Sequence, residues 1–210
     1  MNNDFKTIRT GIFQFLFGAV LSIIAFALYV ISSYYPMGTE SWLEVAQETL
    51  LFFSVFFFAL AASRSPEYSG GLYLVAGFTA VCFIRELDAP LDILYHGCWK
   101  YFVLAYLVFL FQVVRKAGFR TVIPGLVHFI RSRSFMMMLP GVVIILAYSR
   151  LFGYKRLWQL YLPTYVDIGT VKTFCEESVE LLGYAIIFGS SLIAAHERRF
   201  EERLSGGKDR

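Results

Sequence analysis

Apolar runs of about twenty residues recur along this chain, and no other feature restricts its fold as much. They lie at about 11–33, 42–63, 72–87, 89–114, 135–152 and 175–195. In lipid, each backbone N–H and C=O must be satisfied within the chain, and a run of this length does so as a helix. The expected fold is therefore all-α: one polytopic membrane domain over 1–210, a six-transmembrane-helix bundle. The first run is too long for a signal-peptide core and reads as a retained span. At 57% hydrophobic and 18% aromatic, the chain is beyond an ordinary soluble domain. It has no basic run with interleaved aromatics, so a nucleic-acid partner is not expected.

The connectors set the orientation. The turn at 64–71 carries Arg64, Pro66, Gly70 and Gly71. Arg115, Lys116 and Gly118 stop the fourth span. The stretch 119–134 mixes Arg120, Arg131 and Arg133 with Val122, Ile123, Leu126, Val127 and Phe129, the pattern of an amphipathic helix lying on a membrane surface. Pro140-Gly141 marks a kink in the fifth span, and 153–174 is a basic, aromatic interface segment. Lys and Arg concentrate on the side that holds both ends of the chain, although Lys155, Arg156 and Lys172 fall on the other. Both termini are then cytoplasmic by the positive-inside rule. A bacterial inner membrane is the expected host.

That topology gathers ionisable groups at the extracytoplasmic ends of four spans. Glu44 and Glu48 open the second, Arg85 and Glu86 close the third, Asp92, His96 and Lys100 open the fourth, and Glu176, Glu177 and Glu180 open the sixth. The second and sixth share Glu-x-x-x-Glu, which sets two carboxylates on one helix face near an amino end, where the dipole favours negative charge. Asp92, His96 and Lys100 are spaced by four, so a continuous helix would carry them as one polar stripe, with Pro90 in its first turn. Charged side chains at this depth must face the protein interior or a wet cavity, since lipid costs roughly 3 kcal/mol or more for each.

The residue types suggest chemistry. Asp92 can orient His96 as a base, and Glu48 and Glu180 can serve as acid, base or metal ligands. Arg85 and Lys100, with Glu86 and Glu177, form the expected substrate-binding set, the cations holding an anionic headgroup. The plainer alternative is a static pair of Arg85 with Glu48 or Glu180 that clamps helices together. One His with several carboxylates would suit a divalent metal, though not with the ligand set of a zinc hydrolase or a di-iron bundle, so metal identity stays open. The cysteines form no CxxC pair, and a Cys98–Cys175 disulfide is an option only on an oxidising side. The expected function is a membrane-embedded enzyme acting on a lipid or lipid-linked substrate by acid–base or metal-assisted chemistry. A small proton- or ion-coupled transporter, and a non-catalytic subunit docking a partner membrane protein, are the alternatives.

Overall fold

The computed structural model describes residues 42–205 continuously, with side chains through His196, and scattered positions between 12 and 34. Two compact units are present, Met1–Val45 and Ala46–Arg210. In the first, the described positions between 12 and 34 are helical. The rest of the expected span 11–33, the amino tail and most of the loop after that span lie outside the described residues.

Every element whose bounds are described is helical. The order is α1 (Trp42–Ser63), α2 (Ser69–Glu86), the short α3 (Asp88–Asp92), α4 (Trp99–Ala117), a 3-10 turn (Phe119–Thr121), α5 (Val122–Ile130) and α6 (Arg133–Val143). A π-helical segment (Ile144–Ser149) follows, then α7 (Arg150–Phe152), α8 (Lys155–Tyr161) and α9 (Ile168–Ser205). Three helices are long and apolar enough to cross a membrane: Trp42–Ser63, the continuous Arg133–Phe152, and Ile168–His196 within α9. A fourth is added if Trp99–Ala117 and Phe119–Ile130, bent by 90°, count as one broken span. The described residues therefore supply three or four such helices in place of the six expected. α2 begins with Ser69-Gly70-Gly71 and ends with Arg85-Glu86, and α4 carries Lys100, Arg115 and Lys116, which dilutes the apolar character of each.

Two further expectations change. The helix expected over 89–114 is broken: α3 ends at Asp92, and turns occupy the chain until Trp99. Gly97 has φ 78, a left-handed conformation that no helix contains, and its N–H donates to Asp92 Oδ1 at 2.7 Å. The expected surface helix over 119–134 is instead a 3-10 turn, the nine-residue α5 and the start of α6. Ser132 separates the last two, accepting from the Phe135 N–H at 3.2 Å as an N-cap. The three cysteines are free thiols, so Cys98 and Cys175 are not bridged.

The core joins α1, α2, α5, α6 and α9 through Leu51, Phe58, Val75, Phe129, Met138 and Tyr184. Where apolar side chains are no better off against protein than against lipid, small residues that admit close approach hold helices together. Two contacts have that character. Gly71 and Gly125 touch, so that a Cβ on Gly125 would meet the Tyr68 carbonyl and lie 2.9 Å from Gly71 Cα. Gly141 and Gly183 bring α6 onto α9, a Cβ on Gly141 falling 2.9 Å from the Gly183 carbonyl. Below this crossing Ser134 and Ser190 bond reciprocally: Ser134 Oγ lies 2.9 Å from the Ser190 carbonyl and Ser190 Oγ 2.8 Å from that of Ser134.

A start signal for α9 comes from Asp167. Its carboxylate accepts from the Thr170 hydroxyl at 2.6 Å and the Gly169 N–H at 3.0 Å, and its own carbonyl accepts the Val171 N–H. The Thr170 hydroxyl first, and then the Gly169 N–H, hold this exposed carboxyl below the usual carboxylate range.

Two tests follow from this architecture. Gly125→Ala should lower the thermal midpoint of the full chain in detergent, by the equivalent of about 1–3 kcal/mol for overpacking against backbone; an unchanged midpoint would mean that α2 and α5 do not touch there. A capping carboxyl whose folded pKa is depressed stabilises fully above its unfolded value of about 3.9, and loses that contribution as pH falls through the folded value. Amide protection at Gly169–Val171, corrected for intrinsic exchange, should hold down to about pH 4 and drop below it. In Asp167→Ala that acid-dependent step should vanish.

A candidate acid–base site at one end of the bundle

α1 starts, α2 ends, the α6–π–α7 helix ends and α9 starts at the same end of the bundle, and there the charged side chains meet. Glu180 is the centre. About three turns inside α9, it is buried at 4% exposure, and a carboxylate there must be bonded or be neutralised. Ser149 Oγ donates to Glu180 Oε1 at 2.5 Å and Arg150 donates to the same oxygen at 3.2 Å. Both donors come from the seam between the π-helical segment and α7. Inserting an i→i+5 turn shifts the register of every later side chain, and such segments recur at functional sites. Here the shift occurs directly before the two residues that reach Glu180.

Glu86 forms the second half. Arg85 donates to Glu86 Oε1 at 2.6 Å, and the buried Tyr184 hydroxyl, one turn beyond Glu180, donates to the same oxygen at 2.8 Å. Tyr184 lies one turn beyond Glu180 on α9, so its bond to Glu86 brings the end of α2 to the same stretch of α9. The carboxylate side chains are 9% exposed at Glu86 and 5% at Glu180, whereas the arginines over them are 43% exposed at Arg85 and 54% at Arg150. The geometry is thus one buried carboxylate, Glu180, and one largely covered carboxylate, Glu86, each beneath a guanidinium group that reaches outward.

A flank extends along α9. Lys172 pairs with Glu176 at 2.8 Å, and Arg150 approaches Glu176 at 3.7 Å. The fully buried Gln47 donates from Nε2 to both the Glu177 carbonyl and its carboxylate, each at 2.9 Å, which ties α1 to α9. Glu48 is half-buried on α1 beside Gln47.

Of the residues singled out from sequence, Arg85, Glu86 and Glu180 come together, and Glu177 belongs to the flank. Arg85 bonds its chain neighbour Glu86, whereas the alternative of a static clamp paired it with Glu48 or Glu180. Asp92 and His96 do pair, with His96 Nδ1 2.8 Å from Asp92 Oδ2, but the His96 side chain is 97% exposed. Lys100 is exposed as well and lies over the Trp99 ring at 5.8 Å. The polar stripe of Asp92, His96 and Lys100 is therefore not formed: the break at Gly97 removes the helical register that the spacing of four requires. Among the described residues, no three His, Cys, Asp or Glu side chains group as metal ligands, so the divalent-metal option finds no donor set there.

Sequence reasoning overlooked Gln47, Ser149, Arg150 and Tyr184. Arg150 carried a usable signal, a cation at the same end of its helix as Glu176 and Glu180. The other three are uncharged and resemble their packing neighbours. No family model, curated protein or solved structure matches this chain. Fold and site define its class only as an all-helical protein, with helices long and apolar enough to cross a membrane and two arginine-bonded carboxylates at one end.

The hydroxyl should matter more to Glu180 than the arginine. Ser149→Ala removes a donor from a buried carboxylate and should cost about 1–3 kcal/mol. Arg150→Gln removes a half-exposed, screened partner and should cost about 1 kcal/mol or less. Apparent unfolding midpoints of the full chain in one detergent decide the order, and the reverse order would demote Ser149 to a packing residue.

Proposed function

We propose that this chain is an integral membrane enzyme that acts by acid–base chemistry on an anionic lipid or lipid-linked substrate. Its site opens toward the extracytoplasmic headgroups, and a bacterial inner membrane is the host. The observation that carries this reading is that the buried Glu180 and the largely covered Glu86 are each bonded by a half-exposed arginine, Arg150 and Arg85. A guanidinium has five N–H donors, and the bonds to the two carboxylates leave several on each arginine for a phosphate oxygen. Each carboxylate has its own arginine and its own hydroxyl donor, which leaves two carboxyl groups that can exchange protons with a bound substrate. In this reading one carboxyl group donates to the leaving group while the other accepts from an attacking hydroxyl or water. Ser149 and Tyr184 fix the carboxyl oxygens and hold the two roles in place. Asp92, at the end of α3, and the exposed His96 lie apart from these two carboxylates and would act on a substrate only at the rim, together with Lys100. Glu48 and Glu177 flank the carboxylates.

The site reads as one-sided rather than as part of a transport path. The hydroxyls deeper in the bundle are spent on backbone: Ser54 on the Leu50 carbonyl at 2.6 Å, Thr79 on that of Val75 at 3.1 Å, and Ser191 on that of Phe188 at 2.7 Å. Each of these three hydroxyls is satisfied within its own helix rather than joined to the carboxylate site.

The test compares the purified full chain with Glu180→Gln and Glu86→Gln in vesicles made from a bacterial total lipid extract, with products followed by mass spectrometry. The expected result is a time-dependent lipid change with the parent that drops by at least 10²-fold in each variant, on the scale of a lost general acid or base. Identical lipid profiles for parent and Glu180→Gln, with helicity preserved, would sink the enzyme reading in favour of a structural clamp.

A further inference from the structure

The opposite end of the bundle carries a surface that the carboxylate site does not use. No Asp or Glu occurs between Asp92 and Asp167, yet that stretch holds Arg115, Lys116, Arg120, Arg131 and Arg133. All five are exposed, and none of them forms an ion pair with a described residue. They fall into two groups. Arg115, Lys116 and Arg120 surround the elbow at Gly118, where the chain bends by 90°. Arg131 and Arg133 bracket the N-cap Ser132 at the far end of α5.

Between the groups runs an apolar face. α5 turns Gly125 and Phe129 inward, and leaves Ile123 68%, Val127 41% and Ile130 54% exposed, in line with Phe119 at 55%. These positions recur at helical spacing, so they form one stripe flanked by cations at both ends. A nine-residue helix is about 13 Å long, which is too far for one phosphate to bridge both groups.

We infer that this elbow docks two anionic phospholipids, one headgroup phosphate at each cationic group, with acyl chain laid against the stripe between them. Charge complementarity argues for this occupant. Unpaired guanidinium and ammonium groups match phosphate oxygens, and an apolar stripe joined to them matches the glycerol-acyl boundary of the same molecule. A nucleic acid or an acidic peptide would satisfy the cations and leave the stripe in water. The elbow is separate from the carboxylate site and stands whether or not that site is catalytic.

Native mass spectrometry of the detergent-solubilised full chain, titrated with phosphatidylglycerol or phosphatidylcholine of the same acyl composition, tests the assignment. The parent should retain two phosphatidylglycerol molecules at least tenfold more tightly than phosphatidylcholine. Arg131→Gln with Arg133→Gln should leave one tightly held lipid, and the affinity of the other should fall about fivefold for each cation removed. Lys116→Gln with Arg120→Gln should likewise weaken one lipid and spare the other. Equal retention of both lipids by the parent would overturn the inference, as would an unchanged count of two in both double variants. So would displacement of the lipid by free glycerol phosphate at matching concentration, since the stripe would then contribute nothing. Circular dichroism confirms that each variant keeps its helix content.

Discussion

A carboxylate buried among apolar helices has to find donors or lose its charge, and Glu180 finds them on a neighbouring helix. Ser149 and Arg150 converge on one of its oxygens, while Tyr184, one turn along the same helix, reaches across to Glu86. Through these bonds the ends of α2, α7 and α9 are fixed to one another. Gln47 adds α1 by bonding Glu177. The charged end of the bundle is held by hydrogen bonds that are strong because little water competes for them.

That arrangement depends on packing elsewhere. α6 and α9 approach closely at Gly141 and Gly183 and are bonded below that point by Ser134 and Ser190. This crossing fixes the angle at which the later part of the α6–α7 helix leaves the core. The π-helical segment from Ile144 to Ser149 then alters the register, and Ser149 and Arg150 meet Glu180. The contact of Gly71 with Gly125 acts similarly at the other end, seating α5 across α2 and turning its apolar stripe and flanking arginines outward. Small residues thus position both polar ends without contributing polar atoms of their own.

Several members of the site were legible because charge is conspicuous in an apolar run. Glu180 lies a turn inside the apolar run at 175–195 and Arg85-Glu86 closes another, so burial and pairing could be inferred from depth alone. The pairing pattern could not. Arg85 was as plausible a partner for Glu48 or Glu180 as for its neighbour. Ser149, Gln47 and Tyr184 gave no signal, because hydroxyls and amides in apolar helices more often bond their own backbone, as Ser54 and Thr79 do. His96 was misplaced for a different reason: a spacing of four is informative only on an unbroken helix, and Gly97 in a left-handed conformation breaks this one.

Sequence alone determined that the chain is helical, that it carries helices long and apolar enough to cross a membrane, and that carboxylates and arginines stand near the ends of its apolar runs. Each of these follows from local quantities, namely run length, hydropathy and the cost of an isolated charge. Tertiary structure decided how many described helices are long and apolar enough to cross, which cation serves which carboxylate, and that Asp92 and His96 stand apart from Glu180. Those outcomes turn on helix breaks, a register shift and glycine contacts between distant segments, and such contacts exist only once the helices have packed.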